Sequence, residues 1–409
     1  MEKVKLGVVG LGGRGFGMVG TFLNVEDCEI VAVCDKYPDR VERAEKLITE
    51  KSGKAPKTFT SFEEFINYEG MEAVYIATSW EEHLVQAIES MKAGKITAVE
   101  VGGAQSVKEC FDLVKTYEKT KTPIMLMENC CYDKFELLTT ALVRKGMLGE
   151  IVNCHGAYGH DLRAEVLGGN VNRHYRLNHY INENCENYPT HELGPIAKIL
   201  NINRGNRMVS LVSVASKSRG MQAFAKTDKN PDKNLTNQEF KQGDIVETII
   251  TCENGETISL KLDTSLPRYY SREFTVNGTL GRANGEANLI YLDSVDYGPE
   301  LWHSGEAIAK YNNNAEDYNE YLPSFWKDIT EEEKKLGHGG MDYFLCKNFI
   351  KAVKDGVKEM PIDVYDAAAW MCITALSAKS IKKNGKPVKI PDFTKGKYKT
   401  RKSEDVVEL

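Results

Sequence analysis

Apolar residues in the first 150 positions come in short blocks separated by amphipathic stretches. Val4 to Val9, Glu29 to Cys34, Ala73 to Ala77, Ile96 to Glu100 and Pro123 to Asn129 read as buried strands. A stretch reaching about Leu23, then Glu82 to Lys92, Ser106 to Lys119 and about Phe135 to Arg144, read as helices. Strands that alternate with helices imply crossover connections, so the pattern predicts a parallel, doubly wound sheet. Such sheets collect ligands beyond the carboxyl ends of their strands. Those ends carry Asp35, Thr78-Ser79-Trp80, Glu100 and Glu128-Asn129.

The pattern changes after Gly146-Met147-Leu148-Gly149-Glu150. Strand-like runs follow at Ile151 to Tyr158, Val209 to Ala215, Ile245 to Cys252, Thr257 to Asp263 and Glu273 to Val276. Hairpin spacing at Glu253-Asn254-Gly255-Glu256 predicts a mostly antiparallel sheet. The polar segment from about Lys217 to Gly243 reads as a long loop. Two late helices, Met341 to Val353 and Val364 to Ile381, are expected to pack on one domain or bridge both. The expected division is a first domain over 1–149 and an α+β domain over 150–409. A chain of 409 residues is long for one core, which agrees with two.

Composition narrows the function. With 42% hydrophobic and 27% charged residues the chain has the make-up of an ordinary globular protein. A net charge of −6 argues against a nucleic-acid binder, which needs a basic footprint. The basic residues near the C-terminus (Lys395, Lys397, Lys399, Arg401, Lys402) lack interleaved aromatics and read as a solvated tail. No apolar run reaches membrane-spanning length, so no membrane partner is expected. The ten cysteines form no CxxC pair and several sit in apolar runs, the pattern of buried thiols. The first residues lead straight into a strand with no room for a signal peptide. The expected location is cytoplasmic.

The first strand runs into Gly10-Leu11-Gly12-Gly13-Arg14-Gly15, and the second ends at Asp35, twenty positions beyond Gly15. Strand, glycine loop, helix, strand and acid together form the dinucleotide-binding fingerprint of the Rossmann fold. Gly10 permits the tight turn, Gly12 lets the backbone approach the pyrophosphate, and Gly15 allows close helix packing. The helix amides face the phosphates. Asp35 can accept from ribose hydroxyls, which favours NAD over NADP because the extra phosphate would meet a negative charge.

In the second half, Tyr188-Pro189-Thr190-His191 places a phenol and an imidazole three residues apart, just before the apolar run Ile196 to Leu200. Both groups can handle protons, and a helix starting there would favour developing negative charge. Five of the eight histidines (His155, His160, His174, His179, His191) fall in the same region. Their spacings match no common zinc pattern, so no metal is expected. A polar pocket for a sugar is the better reading. Its expected wall is Tyr158 to Arg163, Tyr175-Arg176, Tyr188 to His191 and Pro267 to Arg272.

The glycine loop, the strand-end Glu100 and the sheet-rich second domain resemble the Gfo/Idh/MocA oxidoreductases. Dehydrogenases of that group carry Glu-Lys-Pro where this chain has Glu100-Val101-Gly102. The lysine assists proton removal there, and its replacement argues against a plain sugar dehydrogenase. Glu-Val at this place, with Trp80 to His83, Met127 to Tyr132, Tyr158 to Arg163, Tyr175-Arg176, Tyr188 to His191, Asn201 to Gly205, Pro267 to Arg272 and His338 to Asp342, resembles the NAD-dependent glycosidases of glycoside hydrolase family 109. The chain departs from that pattern at Gly102, where proline is frequent, and at Glu192, where a glycine commonly follows the histidine.

The resemblance implies tightly bound, recycled NAD, contacted by Arg14, Asp35, Trp80, His83, Glu100, Val101 and Asn129 besides the glycines. It implies substrate contacts at Tyr158, Arg176, Tyr188, His191 and Tyr270. It further implies a small glycoside substrate, most of all an α-N-acetylgalactosaminide, and a homo-oligomer formed through an exposed sheet. Many family members carry export signals, so a cytoplasmic member would act on imported substrate. Hydrolysis would proceed by transient oxidation at C3, elimination across C1–C2, water addition and re-reduction, with His191, Tyr158 and Tyr188 as the catalytic groups. This differs from the usual carboxylate pair of glycosidases. The alternative is a sugar or glycoside 3-dehydrogenase that releases a keto-sugar. A non-catalytic NAD-responsive binding protein is disfavoured by the presence of both Tyr188 and His191.

Overall fold

The computed structural model describes residues 2–297 and 305–409. The chain divides into two compact units, Met1–Tyr132 with Ile329–Met371, and Asp133–Asp328 with Cys372–Leu409.

The first unit is built on six strands: β1 (Val4–Val9), β2 (Cys28–Cys34), β3 (Lys57–Phe59), β4 (Ala73–Ile76), β5 (Ile96–Val99) and β6 (Ile124–Leu126). They form one sheet in the order β3-β2-β1-β4-β5-β6, and every pair in it is parallel. All four residues of β4 are buried. Helices on both faces produce such continuous apolar strands instead of alternating ones. The sequence had not signalled β3, nor the helices Pro38–Ser52 and Phe62–Ile66. β3 is three residues long and its side chains are partly exposed, so it carries little pattern.

The second unit carries β7 (Ile151–Gly159), β8 (Met208–Ala215), β9 (Ile245–Cys252), β10 (Thr257–Asp263), β11 (Thr275–Gly278), β12 (Gly281–Asn284), β13 (Leu289–Leu292) and β14 (Val388–Lys389). Their order is β13-β12-β11-β7-β10-β9-β8-β14. β7 and β10 run parallel, while the remaining pairs are antiparallel. The helix Thr190–Ile199 packs on β7 and on the helix Lys134–Arg144. In β9 the residues Val246, Thr248, Ile250 and Cys252 are buried, while Glu247, Ile249 and Thr251 are exposed. That alternation marks a sheet covered on one face only.

The units divide differently from the expected 1–149 and 150–409. The stretch 133–149, expected in the first domain, belongs to the second unit, because the helix Lys134–Arg144 packs against Thr190–Ile199. The helix Met341–Lys354, one of the two late helices expected to pack on one domain or bridge both, lies in the first unit, packed on β1 and on the helix Gly13–Phe22. The segment expected to be a long loop contains the helix Gly220–Ala225 and a short turn of helix at Lys233–Leu235. Side chains fix this polar segment: Asp244 accepts from the amides of Arg219 and Gly220, and Asn230 donates to the Ala225 carbonyl. All ten cysteines are buried. Among the described residues no helix is long and apolar enough to cross a membrane.

Candidate active site in two parts

The first part lies at the carboxyl ends of the parallel strands. Gly10 turns the chain at φ +86°, and a Cβ there would come within 2.5 Å of the Ala77 backbone. A Cβ on Gly15 would come within 1.7 Å of the Gly10 carbonyl oxygen. Only glycines let loop, helix and strand approach this closely. The helix Gly13–Phe22 therefore starts directly above the end of β1, its first amides open to an anion. Asp35 is buried at the end of β2 and accepts from the amides of Leu11 at 2.7 Å and Tyr37 at 3.0 Å. The carboxylate thus holds the glycine loop at the end of the second strand.

Around this cradle runs a charged network that reaches far along the sequence. Glu100 accepts from the Tyr75 hydroxyl at 2.5 Å and from Arg14 Nε at 2.9 Å. Arg14 also forms a two-pronged pair with Asp342, at 2.7 and 3.0 Å. Asp342 accepts from Asn129 Nδ2 at 2.8 Å and bonds His338 Nδ1 at 2.7 Å. Burial pushes the Asp342 carboxyl up, but His338 and Arg14 more than offset it and hold it well below the usual carboxylate range. Arg14 and Asn129, both expected to touch NAD, are thus joined through Asp342, and Glu100, expected to touch it too, joins them through Arg14. Nothing in the strand pattern singled out Asp342; the nearest signal was its place in the His338 to Asp342 segment.

The remaining expected NAD contacts differ in kind. Trp80 is buried, and its indole fills the space that a Cβ on Gly102 would need. Gly102 lies at φ +142°, outside proline's range, which accounts for glycine where the resemblance led one to expect proline. Val101 is buried, and its amide donates to Glu100 at 3.3 Å. His83 is fully buried, and neither ring nitrogen has a hydrogen-bond partner among the described residues. Burial lowers its pKa to about 4, so the imidazole is neutral. An orphaned buried ring and a glycine cradle fit a bound dinucleotide.

The second part is an aromatic cluster inside the second unit, with Tyr158 at its centre. Its ring lies 4.5 Å from Tyr188, 5.4 Å from His191, 5.7 Å from His160 and 6.4 Å from Tyr270, centre to centre. Tyr158 points inward from β7, and His191 sits in the first turn of the helix Thr190–Ile199. The Arg176 guanidinium lies 5.0 Å over the Tyr188 ring. All five residues implied as substrate contacts thus meet in one place. Tyr270 is the most open of them, 45% exposed against 4% for Tyr158. Burial pushes the Tyr158 phenol above its ordinary range, with the neighbouring Arg176 charge pulling the other way.

The other arginines of the expected wall are engaged elsewhere. Arg163 pairs with Asp161 at 2.6 Å, and Arg268 with Asp263 at 2.6 Å. Arg272 binds Glu136 at 2.7 Å and Asp133 at 2.9 Å, tying the loop that carries Tyr270 to the helix Lys134–Arg144. Only charge partners can hold such groups in a partly buried wall. Of the histidine group, His155 turns to Glu273 at 3.3 Å and His174 to Glu165 at 3.8 Å. Glu165 also lies 3.4 Å from Arg176, a partner that the sequence reading had not named.

Comparison with known proteins agrees with both halves. Residues 4–127 match the oxidoreductase family with an NAD-binding Rossmann fold, and residues 132–400 match the C-terminal domain of glycosyl hydrolase 109. A glycosyl hydrolase family 109 protein of Stenotrophomonas maltophilia is 36% identical over 98% of this chain and 91% of its own. An alpha-N-acetylgalactosaminidase of Tannerella forsythia is 34% identical over 97% of this chain and 87% of its own. Among solved structures, levoglucosan dehydrogenase with NADH and levoglucosan superposes with a TM-score of 0.70 at 18% identity, covering 95% of this chain and 100% of that one. At that identity the likeness speaks for the fold alone. With an NAD-binding Rossmann half and a matching C-terminal half, the chain belongs to glycosyl hydrolase family 109.

Proposed function

We propose that the protein is an NAD-dependent glycosidase that cleaves by oxidation and elimination, acting on α-N-acetylgalactosaminides. The observation that carries this reading is the cluster around Tyr158. It gathers phenols, an imidazole and a guanidinium, groups suited to moving protons on a sugar ring. The N-acetylgalactosamine preference is taken from the name of the Tannerella forsythia relative.

NAD held by the glycine loop, Asp35 and the Arg14 network would supply reversible oxidation at sugar C3. His191 accepts the proton of the C3 hydroxyl as the ketone forms. The ketone acidifies C2–H, and Tyr158 receives that proton while the C1–O bond to the aglycone breaks. Water then adds at C1, the proton returns to C2, and His191 gives its proton back as C3 is reduced. Tyr188, tilted against Tyr158 and under Arg176, orients the ring. Because the hydride removed from C3 would be returned to it, tight, recycled NAD binding belongs to the proposal.

The test is a panel of α- and β-nitrophenyl glycosides with purified protein and no added cofactor. Nitrophenol release without net NADH, with the α-N-acetylgalactosaminide cleaved best, is the expected result. NADH growth only when NAD+ is supplied, with no nitrophenol, would establish a dehydrogenase instead. His191→Ala should cut turnover by roughly a hundredfold or more while leaving NAD bound.

A further inference from the structure

A neutral phenol buried above its ordinary pKa is a poor resting base, so the route by which Tyr158 loses its own proton needs a partner. Among the described residues, two groups bond to its oxygen. Arg176 hydrogen-bonds to it, and a guanidinium can only donate. One lone pair is thereby occupied and the phenol hydrogen is directed elsewhere. The other contact is His160 Nδ1, at 3.1 Å. The His160 ring stands edge-on to Tyr158 and, at 5.2 Å, to Tyr270. It is half-buried, whereas Tyr158 is buried.

We propose that His160 acts through Tyr158 as the acceptor of a two-step proton relay in the elimination, a role that rests on the oxidation–elimination reading. As the phenol oxygen takes the proton from C2 of the oxidised sugar, its own proton passes to His160 Nδ1, and the C2–H electron pair expels the aglycone from C1. The phenol is neutral before and after, and the positive charge rests on a half-exposed imidazole instead of leaving a buried phenolate. After water adds at C1 the protons run back along the same path to C2. Because His160 reaches solvent, its proton exchanges with water in between, which gives solvent deuterium a way to C2.

The charges around His160 suit this task. Burial and the positive Arg176 lower its pKa, Glu165 and Asp161 raise it, and His191 lowers it. The net shift is downward, so the ring is neutral at pH 7 and free to accept. As a residue acting through another, His160 is a positioning residue, and its removal should strike the elimination alone.

The holoenzyme, His160→Phe and His160→Gln would each be given a 3-keto glycoside in deuterated water, following aglycone release and deuterium at C2 by mass spectrometry. A second arm mixes each protein with the unmodified glycoside and records the absorbance of bound NADH. Expected is a roughly hundredfold or larger loss of elimination in both variants, with the NADH phase kept within about threefold. The wild-type elimination should fall below the pKa of His160 on the acid side, and that limb should vanish in His160→Gln. Elimination within about threefold of wild type in either variant, or an acid limb unchanged in His160→Gln, overturns the relay. Loss of both phases together in both variants also overturns it, because that marks a merely structural residue. If the wild type itself neither releases aglycone from the 3-keto glycoside nor deuterates C2, the elimination reading fails, and the relay with it.

Discussion

At the scale of single residues, burial decides which groups are poised and which are inert. Glu186 lies two positions before Tyr188 and is fully buried. Its amide donates to Ser377 Oγ at 2.7 Å, its Oε1 accepts from the Tyr188 amide at 3.4 Å, and Oε2 has no partner among the described residues. Burial raises its pKa to about 8, the Tyr188 amide lowers it, and nearby Glu247 raises it. A folded-state value above the unfolded one means that the native state holds the proton more tightly. Its stabilising effect is therefore whole below about 4.5 and is lost as pH rises through about 8. Glu186→Gln keeps the shape and the acceptor and removes the titration. The variant should lose less thermal stability than the wild type between pH 5 and 8, each kcal/mol appearing as about 2–4 °C in a unit of this size. Parallel melting curves across that range would refute the buried neutral carboxyl. The sequence could place Tyr188 and His191 because both sit at a proline-marked helix start. It gave no sign of Glu186, named His160 only as part of a pocket wall and Asp342 only within a longer segment, because the roles of Glu186 and Asp342 depend on neighbours 191 and 328 positions away.

At the scale of elements, the helix Thr190–Ile199 sets the angle at which His191 enters the cluster, and its far end is held by one side chain. Arg144 donates to the carbonyls of Ile199 at 3.0 Å and Lys198 at 2.7 Å, while Asp405 braces the guanidinium at 2.8 Å. A cation at a helix C-terminus satisfies its last carbonyls and opposes the dipole. Arg144→Ala should lower unfolding free energy by roughly 1.5–3 kcal/mol, the worth of charge-assisted hydrogen bonds. Asp405→Asn should cost less, since the carbonyl bonds survive. Denaturant titration of the two variants would check that order, and equal losses would refute it. Strands were legible in proportion to their alternation. Residues Ile245 to Cys252 and Thr257 to Asp263 were read with the observed bounds, because each buries every second side chain against one covered face. β12, β13 and β14 have four, four and two residues, too few for a period to declare itself.

At the scale of the whole molecule, the order of the chain and the order of its units differ. The glycine loop, Asp35 and the strand ends follow a local pattern that could be read directly. Asp342, by contrast, reaches Arg14 across 328 positions of sequence, from a segment that returns to the first unit after the second has been built. Local patterning does not say which unit such a segment joins, which is why the late helices could be expected only to pack on one domain or bridge both while the cofactor fingerprint was read directly. The returning segment should matter for cofactor binding. Asp342→Asn keeps the size of the side chain but turns one of the two Asp342 oxygens that accept from Arg14 into a donor, and it weakens the bonds to Asn129 and His338. Arg14 would then swing toward Glu100 alone, loosening the loop whose first helical turn faces the phosphates. The expected result is NAD binding about tenfold weaker, or ~1.4 kcal/mol. Because a ligand that binds only the native state stabilises it in proportion to the logarithm of its occupancy, the same loss should shrink the NAD-induced rise in melting temperature. Calorimetric titration with NAD+ and melting curves taken with and without it would measure both on one preparation. An unchanged affinity in Asp342→Asn, with the protein folded, would mean that Arg14 is held by Glu100 alone and that the returning segment only covers the sheet.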